Sequence, residues 1–299
     1  MNVLIIGSSG FIGKYLTKTL VNQKNFNVFT IDKNISEDFN GEKNYVGNVN
    51  DHDFLKKCIQ ESDPDLIYYL ISFFSLNNTK DFSFSIENSS SYLKNLFQNL
   101  KPNQRLVYVG SSAQYGSVPS NFQPVSESVG FYPVSNYGIF KIFEENEIKR
   151  LANENKTDIV GARIFNVTGP GEPKRMVGGS IVSQIKNTNV IKMGNIMSKR
   201  DFLDVRDVAN ALFIIGINGK RSEVYNVCSG KSISISDYLQ LIINELKIKP
   251  IINTNKKQLN KNDIEDLVGD NSKIVRELGW KKHFSLSDSV KEIVKEIYN

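Results

Sequence analysis

The chain opens with NVLIIGSSGFIG, residues 2–13: an apolar run, a loop with Gly7, Gly10 and Gly13 at three-residue spacing, and then the helical pattern FIGKYLTKTLVNQ. A glycine loop joining a buried strand to a helix lets the backbone approach an anion closely, while the helix start offers unpaired N–H groups and a partial positive charge. Taken alone, such a loop is equally a tight turn, and the segments after it decide between the two. Apolar runs continue to alternate with helical patterns: FNVFTID, DHDFLKKCIQES, DLIYYLIS, a helix closing on FQNL, then RLVYVGSS. This alternation predicts an α/β chain with a doubly wound, Rossmann-like parallel sheet.

Past DIVGARIFNVTGPGEP, glycine and proline become denser, and the pattern turns to short strands and helices with two longer helices near the end. We expect a dinucleotide-binding domain over residues 1–165. A smaller C-terminal α/β lobe over 166–299 would bind substrate, with a segment around 196–225 returning to the first domain.

About twenty residues after the loop, Asp32 ends the strand-like run VFTID, where an acid can grip ribose hydroxyls and repel a 2′-phosphate. NAD(H) is therefore favoured, and the adjacent Lys33 and Asn34 leave NADP(H) open. The pyrophosphate would sit on the loop and on the first-turn residues Phe11 and Ile12, and Asn48 and Val49 in GNVND are placed to reach adenine.

Composition excludes several other classes. Lys and Arg number 37 against 32 Asp and Glu, a mild +5. The densest basic clusters, NTNKKQLNK and WKKH, lack the interleaved aromatics of a single-strand platform, so they read as a solvated face and no nucleic acid is expected. Cys58 and Cys228 are the only cysteines and have no metal-ligand spacing, which argues against disulfides and zinc and fits a cytoplasmic protein. No apolar run is long enough for a signal peptide or a membrane span. His52 and His283 lie in polar, loop-like stretches, so histidine chemistry is not expected.

NYGIFK places Tyr137 and Lys141 four apart, on one helical face. A neighbouring cation favours phenolate, and moving a tyrosine from about 10 toward 7 takes roughly 4 kcal/mol. The spacing alone arises readily by chance; order and company give it weight. VYVGSSAQYG puts Ser111 and Ser112 just past a buried strand, at the sheet edge where α/β proteins bind ligands.

Together these motifs resemble the extended short-chain dehydrogenases/reductases, in the nucleotide-sugar epimerase/dehydratase group. ARIFNVTGPGEP, KRDFLDVRDVANAL and LVGDNSKIVRELGW extend the resemblance over essentially the whole chain. It implies that Tyr137 is the general acid/base, that Lys141 tunes it and holds the nicotinamide ribose, that Ser111 donates to the substrate oxygen, and that Asn88 completes a tetrad. It further implies that Ser112, Asn166 and Arg200 face a nucleotide-sugar substrate, and that two helices per subunit, including the Tyr137 helix, join a homodimer; the apolar face Ile139, Ile142 and Phe143 is consistent with that but equally serves a core. Two departures stand out. The common H-L-A-A is YLIS here, residues 69–72, and an arginine near the end is missing from NKND, leaving Lys261 in its place.

The group's 4,6-dehydratases carry an acid pair after the strand-end hydroxyl; Ser112, Ala113 and Gln114 cannot exchange protons near neutrality. Reduction of a 4-keto sugar fits better. Several segments look most like the GDP-6-deoxy-4-keto-hexose reductases of deoxysugar and surface polysaccharide synthesis, with a GDP sugar favoured. A 4-epimerase or 4-dehydrogenase of the same group remains an alternative, and a non-catalytic dinucleotide-binding regulator a distant one.

Overall fold

The computed structural model describes residues 1–34, 39–74, 82–254 and 264–298. Its centre is a seven-stranded sheet built mostly by the first half of the chain: β1 (Asn2–Ile6), β2 (Asn27–Asp32), β3 (Lys43–Val46), β4 (Leu66–Tyr69), β5 (Arg105–Ser111) and β6 (Asp158–Ile164). The seventh strand, β10 (Val224–Val227), comes from the second half. The order is β10-β6-β5-β4-β1-β2-β3, with every pairing parallel.

Helices cover both faces, as a parallel sheet requires. Alternate residues of β1 divide between the two cores: Val3 and Ile5 pack with Leu16 and Leu20 of α1 (Phe11–Val21) and with Leu212 and Ile215 of α6 (Val205–Asn218). Leu4 and Ile6 point the other way, joining Leu55 and Ile59 of α2 (His52–Ser62), Leu93 and Leu96 of α3 (Phe82–Gln98), and Ile148 of α4 (Asn136–Asn155). His52, expected in a loop, instead heads α2, behind the capping carboxylate of Asp51.

After β6 the chain leaves the main sheet through β7 (Asn166–Thr168), which pairs with β9 (Lys199–Asp204). β9 also pairs with β11 (Ser232–Ser234) and β13 (Asp266–Leu267), while β8 (Val190–Met193) and β12 (Ile251–Thr254) form a separate parallel pair. A separate core joins α5 (Val177–Asn187), α7 (Ile235–Leu246) and α9 (Leu286–Tyr298) through Ile181, Tyr238, Ile242 and Val290. β6, the neighbour of β5 in the central sheet, leads directly into this second assembly. Among the described residues, no helix is long and apolar enough to cross a membrane.

Candidate active site

The loop after β1 turns on Gly7, whose φ of 98° suits glycine. A Cβ on Gly13 would lie 2.1 Å from the Gly7 carbonyl oxygen, so α1 presses against the loop backbone at a distance only glycine tolerates. Gly10 precedes the helix, and among the described residues no side chain caps the first-turn amides, to which Phe11 and Ile12 contribute half-buried. The buried Ser8 hydroxyl has no hydrogen-bond partner among the described residues. Uncapped amides, the positive end of α1 and a closely packed glycine cradle fit a pyrophosphate.

Asp32 sits at the end of β2, as its place in the sequence predicts. One carboxylate oxygen accepts the Ser9 N–H at 2.8 Å, and the other accepts those of Lys33 at 2.7 Å and Asn34 at 3.3 Å, so the acid is tied into the loop it faces. A cleft of about 980 Å³ runs from Ser9, Gly10 and Asn34 along α1 to Pro170 and Arg175. The Tyr15 hydroxyl donates to the Pro170 carbonyl at 2.9 Å, linking the two walls. Asn48 is exposed and its side chain accepts from Asn50 N–H, whereas Val49 is buried in the core.

The second half of the site forms where β5 meets α4. Ser135 caps α4, accepting from Gly138 N–H at 3.1 Å, which puts Tyr137 in the first turn and Lys141 one turn on. A Cβ on Gly138 would lie 2.3 Å from the Ala113 carbonyl oxygen. That close approach brings the helix start against the turn holding Ser111 and Ser112. The Ser111 hydroxyl oxygen accepts from Ala113 N–H at 3.2 Å, which leaves its proton to donate. Ser112 is buried. Tyr137 is half-buried, its ring 5.8 Å from that of Phe74.

Lys141 is 4% exposed, and its ammonium donates to Glu144 Oε2 at 2.6 Å. Burial disfavours its charge, but Glu144 and Tyr137 outweigh that effect and the ammonium holds its proton above the ordinary lysine value. One position further, Glu145 takes Arg163 on both oxygens, at 2.7 and 3.1 Å. Burial pushes Glu145 up, yet Arg163 with Lys149 and Gln114 brings it down to about 2. Gln114 is fully buried: its carbonyl accepts from Ser111 N–H and its amide donates to Glu145, both at 2.8 Å.

Asn88, half-buried on α3, donates to the Phe84 carbonyl of its own helix. Asn166 starts β7, half-buried, and the Arg200 guanidinium donates to the Lys199 and Ile264 carbonyls at 2.7 Å. Lys261 lies outside the described residues. The sequence reading missed Glu144 and the partners it gathers, Tyr69 and Ser89. A usable signal existed: Lys141, Glu144 and Glu145 fall at i, i+3 and i+4, charged residues on the face α4 buries.

A family model described as GDP-mannose 4,6 dehydratase matches residues 4–293. The GDP-6-deoxy-D-talose 4-dehydrogenase of Aggregatibacter actinomycetemcomitans is 25% identical over 302 residues, covering 100% of this chain and 97% of the relative. The GDP-6-deoxy-D-mannose reductase of Pseudomonas aeruginosa is 26% identical over 211 residues, 68% of this chain and 69% of the relative. In fold, the chain is similar to the solved structure of RMD from Pseudomonas aeruginosa complexed with NADPH: TM-score 0.86, 23% identity, 99% of each chain covered.

Proposed function

The chain belongs to the GDP-mannose 4,6-dehydratase family, and on that premise we propose that it reduces the 4-keto group of a nucleotide-linked 6-deoxyhexose, GDP-linked by preference, in deoxysugar synthesis. The observation that carries this reading is the turn that stands after β5. Where dehydration would need an acid and a base, Ser112 and Ala113 offer no titratable group, and the Gln114 amide is buried and engaged at both ends. The site retains a half-buried phenol, a charged lysine one turn on and a strand-end hydroxyl.

A reduced nicotinamide bound along the glycine loop would supply hydride to sugar C4. The rest belongs to the chain. Ser111 donates a hydrogen bond to the carbonyl oxygen, Tyr137 delivers the proton that turns it into a hydroxyl, and the Lys141 cation makes the departure of that proton cheaper. The negative charge of Asp32 supports NAD(H) over NADP(H), and two relatives named for GDP sugars support the base. The same groups run the reverse oxidation, a second reading favoured by the relative named a 4-dehydrogenase, which aligns with the entire chain.

The test monitors nicotinamide absorbance when the protein meets NADH or NADPH with GDP-4-keto-6-deoxymannose, with Tyr137→Phe in parallel. We expect turnover that falls by about 10²-fold or more in the variant, the usual worth of a positioned acid. Undiminished turnover in the variant would remove Tyr137 from the chemistry. We also read the protein as a homodimer joined through two helices per subunit, α4 among them, where Ile139 is exposed. A single-chain mass by light scattering would overturn that.

A further inference from the structure

α4 buries a carboxylate that the proposed chemistry does not use. Glu144 is 2% exposed and accepts three hydrogen bonds: from Lys141 Nζ at 2.6 Å, from the Tyr69 hydroxyl at 2.7 Å and from the Ser89 hydroxyl at 3.2 Å. Three elements thus converge on one side chain, with α4 supplying the lysine, β4 the tyrosine and α3 the serine. Tyr69 is the first residue of YLIS, the segment that stands where the wider group has H-L-A-A, and it stacks on Tyr92 of α3 with ring centroids 5.7 Å apart. Lys141 reaches no other acceptor among the hydrogen bonds of the described residues. A lysine this buried would shed its proton if nothing balanced it.

We propose that Glu144 is a positioning residue for the reaction: anchored by Tyr69 and Ser89, its carboxylate keeps Lys141 charged and fixed beside Tyr137 on one face of α4. This rests on the reading of Tyr137 and Lys141 as the catalytic pair. The effect on Tyr137 is indirect. Glu144 guarantees the cation, and the cation stands one turn from the phenol on the same helix. Among the described residues the ionisable groups around the pair are Tyr137 and Glu145 on α4, Tyr69 on β4, Tyr92 on α3, Tyr108 on β5 and Arg163 on β6; Arg163, Tyr108 and Lys149 are set against Glu145, which Arg163 and Lys149 already neutralise. Glu144 is therefore the anion assigned to Lys141.

Two readouts test this. Lysine labelled with ¹³C at Cε, with Lys141→Met for assignment, tracks the charge of Lys141 without substrate or cofactor. In the native protein the resonance should stay in its protonated position beyond the free-lysine value of about 10.4. In Glu144→Gln, which is isosteric, the midpoint should fall by about 2 pH units or more. The pH profile of kcat/KM for the reduction should move with it, the alkaline limb shifting down by at least about one unit. A midpoint at or below the free value in the native protein, which needs no variant to fold, would overturn the proposal. So would a Lys141 midpoint that falls in Glu144→Gln while the kcat/KM profile stays in place, since the pair would then serve packing alone. If Tyr137→Phe turns over like the native enzyme, the catalytic reading falls and the proposal with it, an outcome distinguished by a Lys141 titration that still shifts in Glu144→Gln.

Discussion

The buried carboxyl of Glu172 should contribute a pH dependence to stability. It lies in the loop between β7 and α5, accepting from Gly178 N–H and from the Thr168 hydroxyl, both at 2.8 Å, and burial pushes it up to about 7. The unfolded chain releases this proton near the ordinary value of 4.5, while the folded chain keeps it until about 7. The folded state therefore binds more protons in that window, and its stability falls as pH rises from the lower value through the upper one. The ceiling is about 3 kcal/mol. Glu172→Gln is neutral throughout. Its carbonyl can still accept from Gly178, and its amide can donate to Thr168 Oγ, which lies 2.7 Å from the Tyr238 hydroxyl and can donate there instead. Thermal unfolding at pH 5 and pH 8 should show a loss in the native protein that the variant lacks, and parallel losses in both would sink this account.

At the scale of elements, β1, the loop and α1 form a unit whose geometry is set by missing side chains. Gly10 and Gly13 share a motif but do different work. An added methyl at Gly10 would stand 3.3 Å from the Gly7 carbonyl, tight but tolerable at its φ of −65°. At Gly13 it would stand 2.1 Å from that oxygen and 2.9 Å from Ser8 Cα. Gly13→Ala must push α1 off the loop and should cost several kcal/mol, the range of severe core overpacking. Gly10→Ala should fold and instead lose NADH affinity, because the methyl crowds the face a pyrophosphate approaches. Circular dichroism and NADH titration of both variants separate the two effects; equal stability would refute the distinction. This unit was legible in sequence because its parts are contiguous, and the Asp32 anchor falls at a fixed distance along the chain. The charged face of α4 was not. Lys141 and Glu144 are neighbours on one helix, but Tyr69 and Ser89 reach them from 75 and 55 residues away, and only the packing of α3 and β4 against α4 makes a buried charge tolerable.

The packing of the whole molecule does not divide where its sequence pattern changes. That pattern puts a soft boundary near residue 166 and a returning segment later; the helical and strand periods show that elements exist there but not which sheet they join. β10 completes the edge of the central sheet, its register with β6 running Val224 to Gly161 through Val227 to Ile164. α6 covers α1, and its Val208, Leu212 and Ile215 share one core with Val3, Ile5 and Leu16; Ile274 of α8 (Ser272–Leu278) and Trp280 close the same core. A fragment ending at residue 165 would leave that apolar face in water and β6 as an open edge, a template for pairing with other chains. The buried side chains stripped of partners each account for about 1.5–3 kcal/mol of burial, against a total folding stability of about 5–15 kcal/mol. The fragment 1–165 should therefore be insoluble or lack a cooperative unfolding transition, while the full chain unfolds cooperatively. A soluble, cooperatively folding fragment that binds NADH would show instead that the first half is autonomous and that α6 and β10 are accessories. If the fragment fails as expected, cofactor and substrate segments are bound into one folding unit, with the Pro170 wall of the cleft tied to it through the Tyr15 hydroxyl of α1.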